Sequence, residues 1–243
     1  RSNPSNMKHQ YHLGFISDKD IYAHVKDTVL RYRTRINLDD FNANIADPIK
    51  FTFDSKVYGM SMERMIESEC IRQIDKSNNG IADKYFHQIL CQGANSGWKM
   101  CQGKSADFDI QNQKLNINVI LKNRRDLLNV NTCNKLYIKM QDCVLNDKTA
   151  ICMLVEIGAD RDIDETWEIK RGKLTFKNDR IRHLSIDKFY EIVFHDEKAY
   201  GNLCETLPTI LDDVISSLGL SNLKDATKTI LKDNLPSNYL KTK

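Results

Sequence analysis

The chain has 243 residues, of which 41% are hydrophobic and 28% charged, with ten glycines, four prolines and a formal net charge of +3. Such proportions fit a globular protein with a buried core and exclude collagen-like and low-complexity classes. No apolar run reaches the roughly 18 residues that a membrane span needs, and a mean hydropathy of −0.51 agrees with a soluble protein.

Arg1 to Asn6, ahead of Met7, are polar and have the character of a cloning remnant rather than a secretory leader. Ser17-Asp18-Lys19-Asp20 has the form of a capping box, and Ile21, Val25, Thr28, Val29 and Tyr32 then recur at helical spacing, predicting a helix over 18–33. Asp47-Pro48 breaks the pattern, and the alternation of Phe51 and Phe53 with polar neighbours before Gly59 predicts a short extended segment. Ser61 can cap a second helix that carries Met62, Met65, Ile66, Cys70 and Ile74 inward and ends at Ser77-Asn78-Asn79-Gly80. A third helix covers 82–91.

From Trp98 onward the period is two. Phe108 and Ile110 alternate with Asp107, Asp109 and Gln111; after a polar turn at Asn112-Gln113, Leu115, Ile117, Val119 and Leu121 form one face and Asn116, Asn118, Ile120 and Lys122 the other. A polar loop, Asn123 to Asn131, leads to a helix over about 132–146. Ala150 to Ile157 is nearly all apolar, the pattern of a central strand covered on both faces. Ser185 to Val193 reads as strand or helix, and Asp196 to Leu218 as a helix interrupted at Pro208. The expected architecture is α/β: a central mixed β-sheet flanked by helices in one domain over 7–218, with a polar basic tail over 219–243.

Charge is unevenly placed. Residues 114–139 and 170–182 each sum to +5, which leaves −7 for the rest of the chain. Local positive charge of this kind suits a polyanion-binding face, although two solvated surface stretches read equally well. The seven cysteines contain no C-x-x-C pair, so the expectation is free thiols in a reducing cytoplasm and no zinc site. The six histidines show no ligand spacing and are expected at the surface or in helix packing. Neither G-x-S-x-G nor a Gly-rich phosphate loop is present.

Asp109 and Lys122 are brought together by the predicted hairpin. A carboxylate and an ammonium at a sheet edge can serve a hard divalent cation and a phosphate or water; they can also form an ordinary cross-strand salt bridge. The segments Ala106-Asp-Phe-Asp109, Leu115-Asn-Ile-Asn-Val-Ile-Leu-Lys122-Asn123 and Lys135-Leu-Tyr-Ile-Lys-Met-Gln141 resemble type II restriction endonucleases of the PD-(D/E)xK superfamily, and more narrowly the family that cuts GGNCC-type sites. Leu13-Gly-Phe-Ile16, Asp47-Pro-Ile-Lys50, Phe53-Asp-Ser-Lys-Val-Tyr58 and Ser185-Ile-Asp-Lys-Phe-Tyr-Glu-Ile192 match too, so the likeness runs from about 12 to 217.

The resemblance implies Mg²⁺-dependent hydrolysis of duplex DNA, with Mn²⁺ as a substitute, by a cytoplasmic homodimer at a palindromic site. A cognate DNA methyltransferase would protect the host. Asp109 would be the metal-binding acid, the Leu121 carbonyl a further metal ligand, and Lys122 the lysine that orients the attacking water. Glu69 occupies a place where related nucleases supply an auxiliary acid, or is a solvated helix-face glutamate. The family motif puts Asp or Glu two residues before the lysine, and this chain has Ile120 there. Three readings are open: the acid comes from Glu156, first, or from Asp126 or Glu69; the isoleucine is an inactivating replacement; or the chain is a DNA-binding relative that no longer cuts. An RNA-binding module has no aromatic stacking motif to support it. Phosphate contacts are expected from Arg124, Arg125, Lys135 and Lys139, and base contacts from Gln141, Arg180 and Arg182.

Overall fold

A computed structural model describes residues 7–34, 36–45, 47–103 and 106–219. The expected cloning remnant before Met7 and nearly all of the expected tail lie outside the described residues. The described residues divide into two compact units, one built from residues 7–29 and Gly80–Ser217, the other chiefly from Leu30–Asn79.

The larger unit is organised by a six-stranded mixed sheet of order β1-β2-β3-β4-β6-β5. Its strands are β1 (Trp98–Met100), β2 (Ile110–Asn112), β3 (Ile117–Asn123), β4 (Ile151–Ile157), β5 (Asp164–Arg171) and β6 (Leu174–Ser185). The first three run antiparallel in sequence, β3, β4 and β6 are mutually parallel, and β5 returns antiparallel along β6. Central placement of β4 explains its unbroken run Cys152–Val155, buried on both faces. The β2–β3 turn falls at Gln113–Asn116 rather than at Asn112-Gln113. Asn112 is a strand residue, fully buried, whose side chain accepts from the Leu115 N–H at 3.1 Å and donates to the Ser96 carbonyl at 3.2 Å. Leu115, expected on the apolar strand face, is therefore half exposed in the turn.

Helix α7 (Val130–Asn146) covers one sheet face. Leu136, Tyr137, Met140 and Val144 pack on Ile120, Cys152, Leu154, Trp167 and Ile181, with the Tyr137 and Trp167 rings edge to face at 5.3 Å. On the other face α8 (Ile186–Phe194) lies against β4 and β6 and beside α5 (Phe86–Gln92), with Phe189 edge-on to Trp98 at 5.4 Å. Before α5 the chain forms a π-helical turn, Ile81–Tyr85, entered through Gly80 at φ 82°. That region was expected as one plain helix. Helix α1 (Asp18–Arg31) agrees with its capping signal, and its Ser17 hydroxyl accepts from the Asp20 N–H. The expected polar loop after β3 contains a one-turn helix, α6 (Arg124–Leu127). Helix α9 (Ala199–Leu218) passes through Pro208 without interruption, held by Leu203, Ile210 and Val214, which are buried on both sides of the proline. The β5–β6 hairpin, with its turn at Gly172-Lys173, replaces what the charge pattern alone showed as a basic island.

Taken by itself, the smaller unit is helical: α2 (Leu38–Asn44), α3 (Pro48–Tyr58) and α4 (Met62–Ser77) enclose Phe41, Phe51, Met65, Ile66 and Cys70. The extended segment predicted around Phe51 and Phe53 is instead α3. Asp47 caps it through a bond from the Ile49 N–H at 2.8 Å, Pro48 occupies its first turn, and Gly59 closes it at φ 61°. Phe51 points inward and Phe53 outward because they sit two residues apart on a helix rather than on a strand.

Two polar devices lock the larger unit. His87 is buried in α5 with its Nδ1 2.7 Å from the Tyr190 hydroxyl, and burial pushes its pKa down to about 4. The Arg180 guanidinium donates to the carbonyls of Val144 at 2.7 Å, Asp147 at 2.8 Å and Ala150 at 3.0 Å. It thereby closes the C-terminal end of α7, where carbonyls lack helical partners and cations are favoured. Arg180 was expected to read guanine; its donors are spent on backbone.

Folded His87 stays neutral down to about pH 4, whereas the unfolded chain takes up that proton near 6.5. Its contribution to stability is present above about pH 6.5 and lost as the pH falls toward 4, on the order of 3 kcal/mol across the window. Urea unfolding at pH 7 and pH 4.5 should show this loss, and His87→Gln should flatten it. Arg180→Ala should cost about 2 kcal/mol of stability, and Arg180→Lys should recover little of it, because an ammonium cannot span the acceptors in the guanidinium's planar geometry.

Candidate functional site

Strand alternation decides which side chains meet at the carboxyl ends of β3 and β4. Lys122 is the register partner of Glu156, and Ile120 that of Leu154. Residues two apart share a face, and laterally paired residues share one too, so Ile120, Lys122, Leu154 and Glu156 all project from the α7-covered side. Asp109, one residue before β2, donates its N–H to the Val119 carbonyl at 2.8 Å and receives the Leu121 N–H on its Oδ2 at 2.8 Å. This bond ties the Asp109 carboxylate to the rim of β3. Since the N–H and C=O of one strand residue face the same neighbour, the Leu121 carbonyl is turned toward Asp109 as well.

Glu156 is 8% exposed, a carboxylate at the sheet rim. One oxygen lies 3.3 Å from His183 Nε2, and among the described residues the other accepts no hydrogen bond. A buried carboxylate with one long bond is poorly compensated by protein alone. Burial lowers the His183 pKa, with Glu156 acting in the opposite sense, so the imidazole resists the proton that would fully pair the two. Lys122 is half buried and has no partner among the described residues. The expected cross-strand ion pair is not formed: Asp109 Oδ1 pairs with Lys84 Nζ at 3.1 Å, from the π-helical turn.

Ile120 is 3% exposed and belongs to the apolar cluster beneath α7. A carboxylate at this motif position would enter that cluster, whereas Glu156, one strand over and at the rim, does not. The Asp109 and Glu156 carboxylates and the Leu121 carbonyl are oxygen donors of the kind that Mg²⁺ takes, an ion that needs one or two carboxylates and otherwise keeps water. Among the described residues no three His, Cys, Asp or Glu side chains group as a metal site, so any cation held here would rest on these two carboxylates and the carbonyl.

The other sequence candidates are placed as follows. Glu69 is in α4 of the smaller unit and is buried rather than solvated; Arg72 Nε at 2.9 Å and Gln73 Nε2 at 2.9 Å donate to its oxygens. Asp126 is exposed on α6. Arg124 pairs with Asp160 at 2.9 Å, and Arg182 is engaged by Asp164 and Thr166. Arg125 and Lys135 are exposed, Lys139 and Gln141 half buried, with no side-chain partner among the described residues. Lys122, Arg124 and Arg125 leave β3 at the end where Glu156 lies. The Gly172-Lys173 turn lies at the opposite end, because Ser185, the last residue of β6, is the one beside Glu156.

Sequence reading passed over Lys84, Gln88 and His183. Lys84 and Gln88, which donates to the Asp109 carbonyl at 2.8 Å, sit in a segment read only for its helical period. His183 lies within a basic stretch, and its spacing carries no ligand pattern.

Residues 13–216 match the family of the Eco47II restriction endonuclease. The chain is also 26% identical to the type II restriction enzyme Sau96I of Staphylococcus aureus, in an alignment that covers 96% of this chain and 99% of that enzyme. Matched over most of its length, the chain belongs to the Eco47II restriction endonuclease family.

Proposed function

We propose that this chain hydrolyses phosphodiester bonds of duplex DNA at a short G/C-rich palindrome of the GGNCC kind, with Asp109, Lys122 and Glu156 as its reaction centre. Family membership supports site-specific DNA cleavage. The observation that carries the assignment of residues is the β3–β4 register, which puts Glu156, with an oxygen to spare, beside Lys122. Glu156 then supplies the acid that the motif position, Ile120, lacks.

Asp109, Glu156 and the Leu121 carbonyl would hold the divalent cation, Mg²⁺ or Mn²⁺. When bound, such an ion lowers the pKa of a coordinated water and offsets charge on the phosphate. Lys122 holds the attacking water at its Nζ, oriented toward the phosphorus. As the water oxygen bonds to phosphorus it gives up a proton to solvent, the opposite P–O ester bond breaks, and the leaving oxygen takes up a proton from solvent, so the protons balance. Buried Glu156 and the apolar floor around Ile120 keep bulk water from surrounding the donors, which strengthens each electrostatic contact.

A palindromic site calls for a twofold-symmetric homodimer, one centre per strand. Arg125, Lys135 and Lys139 are the phosphate contacts favoured by exposure and freedom from partners, with Arg124 reachable once released from Asp160. Gln141 would serve a base edge. Arg182 joins them only by giving up Asp164. The setting is a cytoplasmic restriction-modification system in which a cognate methyltransferase protects the host's own sites.

Plasmid cleavage by the purified chain in Mg²⁺, in Mn²⁺ and in EDTA tests the assignment. Discrete fragments are expected with either metal, and Glu156→Gln should lower the rate by about 10²–10³-fold, the scale of losing one charge-stabilising group. Ile120→Glu should destabilise the fold without improving cleavage. Cleavage that survives Glu156→Gln and rises with Ile120→Glu would return the acid to its motif position. No cleavage by any variant, with GGNCC duplex still bound in EDTA, would make the chain a DNA-binding relative that has lost its chemistry. Replacing Arg125, Lys135 and Lys139 together by Gln should reduce the slope of log affinity against log salt by about 2–3, whereas Arg180→Lys should leave that slope unchanged.

A further inference from the structure

The π-helical turn Ile81–Tyr85 holds the candidate centre at two points, the approach to β2 and the end of β3. Lys84 Nζ lies 3.1 Å from Asp109 Oδ1, and Asp83 Oδ2 accepts from Asn123 Nδ2, next to Lys122, at 2.8 Å. Gln88, one turn on, holds the Asp109 backbone carbonyl. A π-turn inserts one residue into helical spacing and so re-aims neighbouring side chains, which is why such turns recur at functional sites. Here it sends Lys84 to the carboxylate that Lys122 leaves unpaired.

The local charge balance follows. The carboxylates of Asp83, Asp109 and Glu156 face the ammonium groups of Lys84 and Lys122, so the rim is one charge short of neutral before any ligand arrives, and a divalent cation turns it positive. A divalent cation adds charge that must be offset, either by withdrawal of an ammonium or by arrival of a phosphate. The Lys84 side chain is 40% exposed, on a flexible stem, and its partner Asp109 17%; an ion pair of that exposure is weak enough to exchange.

We propose that Lys84 is the resident counter-ion of Asp109 and a positioning residue of the centre: it yields Asp109 to the divalent cation and moves to a DNA phosphate. Cation and DNA then bind with positive coupling, because each relieves the charge imbalance that the other creates. A centre built this way stays closed to free cations until DNA is present. This rests on Asp109 being the metal-binding acid.

Mn²⁺ binding to the full chain without DNA, followed by the electron paramagnetic resonance of free Mn²⁺, tests the exchange. Lys84→Gln should tighten Mn²⁺ about fivefold, the upper scale for a half-exposed ion pair, with Lys84→Met as a second neutral variant and Lys84→Arg close to the parent. In Ca²⁺ against EDTA, the gain in affinity for a GGNCC duplex should shrink in Lys84→Gln. Asp109→Asn should remove Mn²⁺ binding in both backgrounds. If it does so but neither neutral variant tightens Mn²⁺, the counter-ion role is overturned and the metal assignment stands. If Asp109→Asn leaves Mn²⁺ binding intact, both fall.

Discussion

Parallel pairing of β3 with β4 in one register is the constraint on which the centre depends. Both strands are covered on two sides, so a shift of one residue would drive Lys122 and Glu156 into an apolar layer and turn buried side chains outward. The core around Leu154, Met140 and Leu136 therefore fixes the position of two charged groups it does not touch chemically. Asp109 is added by a different bond, the Leu121 N–H reaching its carboxylate past the end of β2. One sheet edge thus gathers an acid from the approach to β2, a lysine from β3 and an acid from β4.

Where the second acid sits follows from what lies beneath each position. At Ile120 a carboxylate would enter the apolar cluster of Leu136, Tyr137 and Met140 and pay a desolvation penalty. At Glu156 the strand has reached the rim, with His183 of β6 on one side and Lys122 of β3 on the other. Carboxyl ends of parallel strands are where α/β sheets place ligands, because the chain there leaves the core and side chains emerge from it. The same rim carries Lys122 and the Lys84 pair, so its carboxylates are faced by cations drawn from β3 and from the π-helical turn.

Basic residues divide into those that hold the fold and those that are free. Arg180 spends its guanidinium on the carbonyl end of α7, and Arg182 is tied across the β5–β6 ribbon. Lys170, Arg171, Lys173 and Lys177 are exposed toward the ribbon's turn, which β6 carries on the order of 40 Å from Glu156 at about 3.3 Å per residue. A single run of positive charge along the sequence thus becomes structural arginines at one level of the sheet and solvated lysines at another.

The elements legible from sequence are those whose signals are local: the capped helices α1 and α4, the amphipathic α7, and the apolar β4 that had to be central. Signals of the same kind, Asp47-Pro48 and Gly59, also mark α3, but Phe51 and Phe53 alternate in a way that two-residue and helical spacing share over so short a stretch. The β5–β6 ribbon was hidden because its outer part, from Glu168 to Lys177, is largely exposed and polar, so little burial imposes a period there. Asp109, Lys122 and Glu156 could each be singled out by type and position along the chain. The hairpin already brought Asp109 toward Lys122; that Lys122 and Glu156 share a face could not be read, since their lateral pairing joins residues more than thirty apart and no local preference encodes a partner strand. Sequence by itself determined the strand periods, the helix caps and the apolar residue at position 120; tertiary structure decided that Glu156 stands beside Lys122 and that Lys84 holds Asp109, because contacts made across strands depend on the register of the whole core.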